Sequence, residues 1–492
     1  MAQQVAGNIL FVTSECFPLI KTGGLADVAG ALPLALSAGG KDVRVLLPAF
    51  PDVMAAAKEK KKVATIAELF GGKATLYEAR SGTGLKLFLL EASHLFELVG
   101  NPYLDEKGRD RSDNHLRFAA LSYAAAKLAM GKLVSWKADI VHAHDWQAGL
   151  TPAYLSLMKG DKPKTVFTIH NLAFQGLFPK SRLASLKLPK AMFGRDGLEY
   201  WDKISFLKAG LVYSDHITTV SPSYAAEIST EEGGMGMGGL LHSLGPKLSG
   251  ILNGIDTTIW DPATDPTLKA PYSVSKPAAK AKNKRALQRE LGLDEDPDAP
   301  LFCVISRLTE QKGLDLLLDA IPHIVGNGAQ LAVLGSGDKK LEQGYGKAAH
   351  NHSAQIGVTI GYDEALAHRL QAGADAIFIP SRFEPCGLTQ LCAMRYGTLP
   401  VVARVGGLAD TVIDANAVAL QAGLGTGFQF APVTQDALRT TVDRVLQVFA
   451  NKRLWRKLMR NAMKQDVSWR APAHDYAKLY DALAGTQAEG LE

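Results

Sequence analysis

Cysteine is scarce: Cys16, Cys303, Cys386 and Cys392 are the only four in 492 residues, and no two sit at a metal-binding spacing. So few thiols argue against a disulfide framework and suit a reducing compartment. Excess charge of one sign is equally thin. Lys plus Arg number 54 against 49 for Asp plus Glu, a net +5, which is too little to imply nucleic acid. A pI near 8.8 still leaves room for a local basic site that takes an anionic ligand. No apolar run reaches the roughly 20 residues of a spanning helix, so no membrane span is expected. The start, Met1-Ala2-Gln3-Gln4, has no basic n-region or cleavage-like site, and the sequence reads as cytoplasmic. Disorder is excluded as well, because 47% of the residues are hydrophobic and can bury sizeable cores.

What is present is length, glycine and a repeating rhythm. A chain of 492 residues with 47 glycines is too long for one ordinary core and suggests two or three domains. Short β-branched and aliphatic runs alternate with amphipathic segments, the pattern of βα units around parallel sheets. Strands are predicted at Ile9–Thr13, Val43–Leu47, Leu87–Leu90, Ile140–His144, Val166–His170 and Ile217–Val220, with a helix over Leu116–Met130. In the second half they are predicted at Leu301–Ser306, Gln330–Leu334, Gly357–Ile360, Ala376–Pro380 and Pro400–Ala403. These runs are apolar throughout rather than alternating, so helices should cover both faces of each sheet. The glycine cluster in Glu231–Gly250 reads as a flexible loop leading to an interdomain connection. The polar stretch Asp261–Asp298 reads as a surface excursion and a helix, and Pro472–Leu483 as a closing helix. The pentapeptide Gly23-Gly24-Leu25-Ala26-Asp27 recurs as Gly406-Gly407-Leu408-Ala409-Asp410, which suggests two similar doubly wound domains, each with a glycine turn at its inner rim.

Three constellations carry chemistry. Lys21 to Asp27 follows a strand and opens a helix, so the glycine turn and helix N-terminus can face an anion, with Lys21 adding a full charge. Ser306-Arg307-Leu308-Thr309-Glu310-Gln311-Lys312-Gly313 sits at another strand exit. Arg307 offers a planar fork for phosphate oxygens and Lys312 a compact charge. Glu384-Pro385-Cys386-Gly387-Leu388-Thr389 forms a turn whose N–H groups can meet a polar ligand, with Glu384 as an acceptor for sugar hydroxyls or a charge stabiliser. No histidine stands near Cys386 in sequence, which disfavours a thiol nucleophile. His142 and His144, with His170 as a third, offer a metal alternative, but a complete ligand set is not evident.

Together these motifs resemble those of bacterial glycogen synthases of the ADP-glucose-using type, relatives of plant starch synthases. The resemblance spans the chain: Lys21 to Asp27, His142 to Trp146, Thr168 to Gly176, Val220 to Pro222, Asn253-Gly254-Ile255-Asp256, Ser306 to Gly313, Pro380 to Thr389 and Gly406 to Asp410. It implies a GT-B fold, α/β, with two facing Rossmann-like doubly wound domains and the active site in the cleft between them. The expected division is 1–248, 249–467 and a C-terminal helix within 468–492 that packs back on the first domain. It also implies a retaining transfer of glucose from ADP-glucose to the nonreducing 4-OH of an α-1,4-glucan, with no cofactor and no metal. By position, Arg307 and Lys312 bind the diphosphate, with Lys21, Gly23 and Gly24 contributing. Asp145, His170, Asn171, Asn253 and Glu384 contact the glucosyl unit, and Cys386, Gly387, Leu388 and Thr389 line it with backbone groups. Tyr362 lies against adenine, and Asp27 and Tyr103 lie toward the acceptor. Glu384 as a nucleophile and Glu384 as the support of a same-face displacement both remain open, the second being favoured. Glu310 and Gln147 depart from residues common among relatives. A UDP-glucose-using GT-B transferase and a non-catalytic glucan-binding protein are the rival readings.

Overall fold

The computed structural model describes residues 6–98 and 100–485. The Met1-to-Gln4 start and the end of the closing segment beyond 485 lie outside the described residues. Two compact units emerge, the first holding the described residues up to Val220, Ala225–Asn253 and the chain from Trp469 on, the second Ser221–Tyr224 and Gly254–Ser468.

The first unit is built on β1 (Asn8–Val12), β2 (Asp42–Pro48), β3 (Lys58–Ile66), β4 (Ala74–Arg80), β5 (Lys86–Glu91), β6 (Ile140–His144), β7 (Lys164–Ile169), β11 (His216–Thr219) and β12 (Leu248–Gly250), ordered β12-β11-β7-β6-β1-β2-β5-β4-β3. Seven of these run parallel, and β4 and β3 extend the edge antiparallel. That edge departs from the all-buried expectation: Lys58 to Lys62 face solvent along β3, and charge on an edge strand discourages pairing with a second chain. A small antiparallel sheet is formed by β8 (Leu177–Pro179), β9 (Glu199–Tyr200) and β10 (Lys203–Ser205).

The second unit holds six parallel strands, β13 (Leu301–Ile305), β14 (Gln330–Gly335), β15 (Ile356–Ile360), β16 (Ala376–Ile379), β17 (Leu399–Ala403) and β18 (Phe428–Phe430), ordered β15-β14-β13-β16-β17-β18. This is the doubly wound order in which the direction of winding reverses between the first and fourth strands. Its core is a run of fully buried Val, Ile, Leu and Phe on β13 to β18 against the helices Leu314–Gly326, Gln435–Ala450 and Lys452–Met463, as continuous apolar strands require.

Two sequence expectations need correcting. Glu231–Gly250 does lead to the division between the units, but it is not a flexible loop: it contains the helix Gly238–Ser243 and ends in β12, paired in register with β11. A boundary at 248/249 would cut that strand, and the division falls instead between Asn253 and Gly254. The cluster's glycines serve close packing, since a Cβ on Gly234 would lie 2.3 Å from the Cα of Gly238. In the polar stretch Asp261–Asp298 the helix Lys280–Glu290 forms, but Lys280 and Lys284 are buried. Lys280 Nζ donates to the carbonyls of Gln371 and Ala372 and to Thr398 Oγ1 at 2.7–3.1 Å, so hydrogen bonds replace the lost water. The closing helix spans Arg470–Gly485.

Candidate active site

Each of the two large sheets has one point where the winding reverses, and ligands of open α/β sheets collect outside the strand ends there. In the second unit that point lies between β13 and β16. Leaving β13, the chain runs through Arg307 to a tight turn at Glu310–Lys312; leaving β16, it runs through Ser381 to Glu384. The two exits meet. Lys312 Nζ lies 2.6 Å from Glu384 Oε2, and Ser381 Oγ donates to the same oxygen at 2.9 Å. Arg382 clamps the turn from the side, donating to Asp315 at 2.6 and 2.7 Å and to the Glu310 carbonyl at 2.5 Å. This guanidinium holds the Asp315 carboxyl below the usual carboxylate range. Gly313 is required by both backbone and space. Its φ is +66° and a Cβ there would lie 1.9 Å from the Pro380 carbonyl oxygen.

Arg307 is exposed, and its guanidinium has no hydrogen-bond or ion-pair partner among the described residues. An exposed guanidinium on the same strand exit as a lysine–carboxylate pair is a ready site for phosphate oxygens. Cys386, Gly387 and Leu388 follow as a turn with Gly387 at φ +75°, and Thr389 starts the helix Thr389–Arg395. The Cys386 side chain is buried. Tyr362 stands apart from these groups in sequence, on the exit of β15, 77% exposed with its hydroxyl bonded to Glu364.

In the first unit the winding reverses between β1 and β6. Lys21 and Asp27, expected at the diphosphate and the acceptor, pair with each other at 2.8 Å. The residue that organises this exit is Glu15, only 3% exposed. Its carboxylate accepts the N–H groups of Thr22 and Gly23, the Thr22 hydroxyl and the Tyr103 hydroxyl. The Thr22 and Gly23 amides of the glycine turn, aimed at an anion on sequence grounds, are therefore engaged by Glu15, and Gly24 opens the helix. Glu15 was not singled out from sequence: it is a lone carboxylate whose partner Tyr103 lies 88 residues on. Tyr103 also meets Ser14 Oγ at 2.7 Å, and burial and the Glu15 charge push its phenol well above its ordinary value. The loop carrying Tyr103 is pinned by Arg117, fully buried, which donates to the carbonyls of Leu95 and Pro102 and to Asn114 Oδ1.

At the end of β6, Asp145 adopts φ +53° and its Oδ1 accepts the His170 N–H at 2.7 Å. Burial raises the Asp145 carboxyl to about 7. His170 Nε2 lies 3.0 Å from His144 Nδ1, and burial lowers the His170 imidazole to about 3, so the ring is neutral. The ring nitrogens of His142 are occupied by Tyr480 Oη at 2.7 Å and Thr168 Oγ1 at 2.5 Å, a packed and hydrogen-bonded histidine. Among the described residues no group of three His, Cys, Asp or Glu side chains could hold a metal ion. Asn171 Oδ1 caps Ala173 N–H at 3.0 Å. Asn253 is 8% exposed, and its Oδ1 has no partner among the described residues.

Comparison with known proteins sets the class. Residues 8–243 match the starch synthase catalytic domain family, and residues 284–465 match the glycosyl transferases group 1 family. The chain is a glycosyltransferase of the GT-B kind, with two Rossmann-like units. It is 58% identical over 475 residues to a glycogen synthase of Rhodopseudomonas palustris, covering 96% of this chain and 98% of that one. A glycogen synthase of Roseobacter denitrificans is 54% identical over 97% of this chain and 100% of its own. The catalytic domain of starch synthase IV from Arabidopsis thaliana, bound to ADP and acarbose, superposes with a TM-score of 0.89 at 31% identity, covering 98% of this chain and 100% of that one. A sucrose-phosphate synthase from Thermosynechococcus elongatus shares the fold alone, with a TM-score of 0.60 at 18% identity. The chain belongs to the glycogen synthase family and is a glucosyltransferase.

Proposed function

We propose that the chain transfers glucose from ADP-glucose to the nonreducing 4-OH of an α-1,4-glucan, with retention at the anomeric carbon. The observation that carries this is the Lys312–Glu384 pair at the crossover of the second sheet, with the exposed Arg307 on the same strand exit. As the bond from the anomeric carbon to the diphosphate breaks, the departing oxygen takes the electron pair. Fixed cations at that oxygen stabilise the charge where it develops. Arg307 and Lys312 supply two, so we expect no metal requirement. Glu384 Oε2 accepts from both Lys312 and Ser381, which weakens it as a nucleophile. This supports the same-face displacement, in which the acceptor hydroxyl attacks beside the leaving group and passes its proton to a phosphate oxygen. In the first unit, the neutral His170 and buried Asp145 offer hydrogen bonds to sugar hydroxyls.

The test is transfer of radiolabel to glycogen from ADP-glucose and, in parallel, from UDP-glucose. Incorporation from ADP-glucose that survives exhaustive chelation is expected. Transfer from UDP-glucose alone would replace the donor assignment, and a covalent glucosyl adduct trapped on Glu384 would overturn the same-face displacement.

A further inference from the structure

Behind the Glu384–Leu388 turn, four consecutive carbonyls are tied back. Those of Glu384 and Pro385 accept the Gly407 N–H, both at 3.1 Å, and Pro385 O also accepts Ser221 Oγ, in the same unit, at 2.7 Å. Those of Cys386 and Gly387 accept Gln390 Nε2 at 3.0 and 2.9 Å. Gln390 is fully buried, and Nε2 also reaches Thr411 Oγ1 at 3.1 Å. Three acceptors around one amide end identify that end as the nitrogen. Oε1 is left without a partner among the described residues, facing Gly387, where a Cβ would lie 2.4 Å away.

A peptide unit is planar and trans, so its carbonyl and its amide N–H point in opposite directions. Drawing the Cys386 and Gly387 carbonyls back onto Gln390 therefore turns the N–H groups of Gly387 and Leu388 the other way. Neither N–H has a partner among the described residues. The second copy of the repeated pentapeptide acts from behind in the same way: Gly406 and Gly407 leave no room for side chains, a Cβ meeting Glu384 O at 2.1 Å or Cys386 Cα at 2.4 Å.

We propose that Gln390, bonded to Thr411 and acting with the Gly407 N–H that holds the Glu384 and Pro385 carbonyls, is a positioning residue that aims the Gly387 and Leu388 amides at hydroxyls of the transferred glucosyl group. This rests on the donor reading above. Two near-isosteric variants test it: Gln390→Met, which removes the donor, and Gln390→Glu, which presents a carboxylate to two carbonyls. In both, KM for ADP-glucose should rise about tenfold at pH 8, a change of about 1.4 kcal/mol. The affinity for ADP and KM for glycogen should stay within about twofold, because neither involves the glucosyl hydroxyls of the donor. Acidification should restore part of the loss in Gln390→Glu alone, since a protonated carboxyl regains one donor. An unchanged donor KM in both variants, or parallel weakening of ADP, glycogen and donor, would overturn the proposal. A wild-type enzyme that takes no glucose from ADP-glucose would instead overturn the donor reading.

Discussion

Arg307 and Lys312 have the same charge and different surroundings, so their removal should separate chemistry from stability. Arg307 is exposed, and Arg307→Ala is expected to cut kcat about 10²–10³-fold while leaving unfolding within about 0.5 kcal/mol of wild type. Lys312 is paired with Glu384, their side chains 18% and 9% exposed. Lys312→Ala should therefore lower kcat and also cost about 3 kcal/mol, because it leaves a buried carboxylate without its counter-charge. Initial rates and urea titrations check both; near-normal turnover in either variant would remove the diphosphate assignment. Asp145 adds a pH effect. Its folded pKa of about 7 lies above the ordinary 3.8, so its contribution to stability is full below about pH 4 and is lost as the pH rises through 7. Asp145→Asn should unfold at a higher temperature than wild type at pH 8, with the gain shrinking toward pH 5. A gain independent of pH would refute the raised carboxyl.

At the level of elements, the turn after β13 depends on Gly313. Gly313→Ala must find room where its methyl would overlap Pro380 O, at a φ of +66° that L residues disfavour. The expected cost is at least about 2 kcal/mol, with a loss of turnover as Lys312 is displaced, and equilibrium unfolding with kinetics on the folded fraction measures both. The strands around this turn were legible in sequence because a parallel sheet covered on both faces needs unbroken apolar runs, which Leu301–Ile305 and Ala376–Ile379 supply. The β3–β4 extension was not legible: Lys58-Glu59-Lys60-Lys61-Lys62 has the composition of a solvated surface, although its partner β4 follows only a few residues later in the chain. The same limit governs the site. Arg307, Lys312 and Glu384 stand in local motifs at strand exits, whereas Glu15 meets Tyr103 88 residues on, and Gln390 reaches back to Cys386 and Gly387 by a side-chain orientation that residue type alone does not show. The pentapeptide repeat was visible, but its two copies differ in role: Gly23 donates its N–H to Glu15, and Gly407 braces a turn from behind.

For the whole molecule, the first unit is closed by a segment from the far end of the sequence. Tyr480, on the helix Arg470–Gly485, bonds to His142 in the middle of the first sheet, and Lys41 reaches Asp481 at 2.5 Å. Removing the chain from Trp469 onward should therefore loosen β1, β6 and β7 and spare β13 to β17, whose core draws on residues up to Val467. Hydrogen exchange read by mass spectrometry distinguishes this from a uniform loss of protection, which would mean that the two units unfold as one. The same sheet sets the acid limit. Burial holds the imidazoles of His142, His144 and His170 below their ordinary 6.5, so the unfolded chain binds protons that the folded one refuses. The contribution of these histidines should be complete above about pH 6.5 and fall as the pH drops toward the folded value of about 3 for His170, by about 1.4 kcal/mol per pH unit for each histidine, partly offset between about pH 7 and 4 by the opposite effect of Asp145. His142→Gln should flatten that acid limb; an unchanged slope would show that His142 is already charged in the fold.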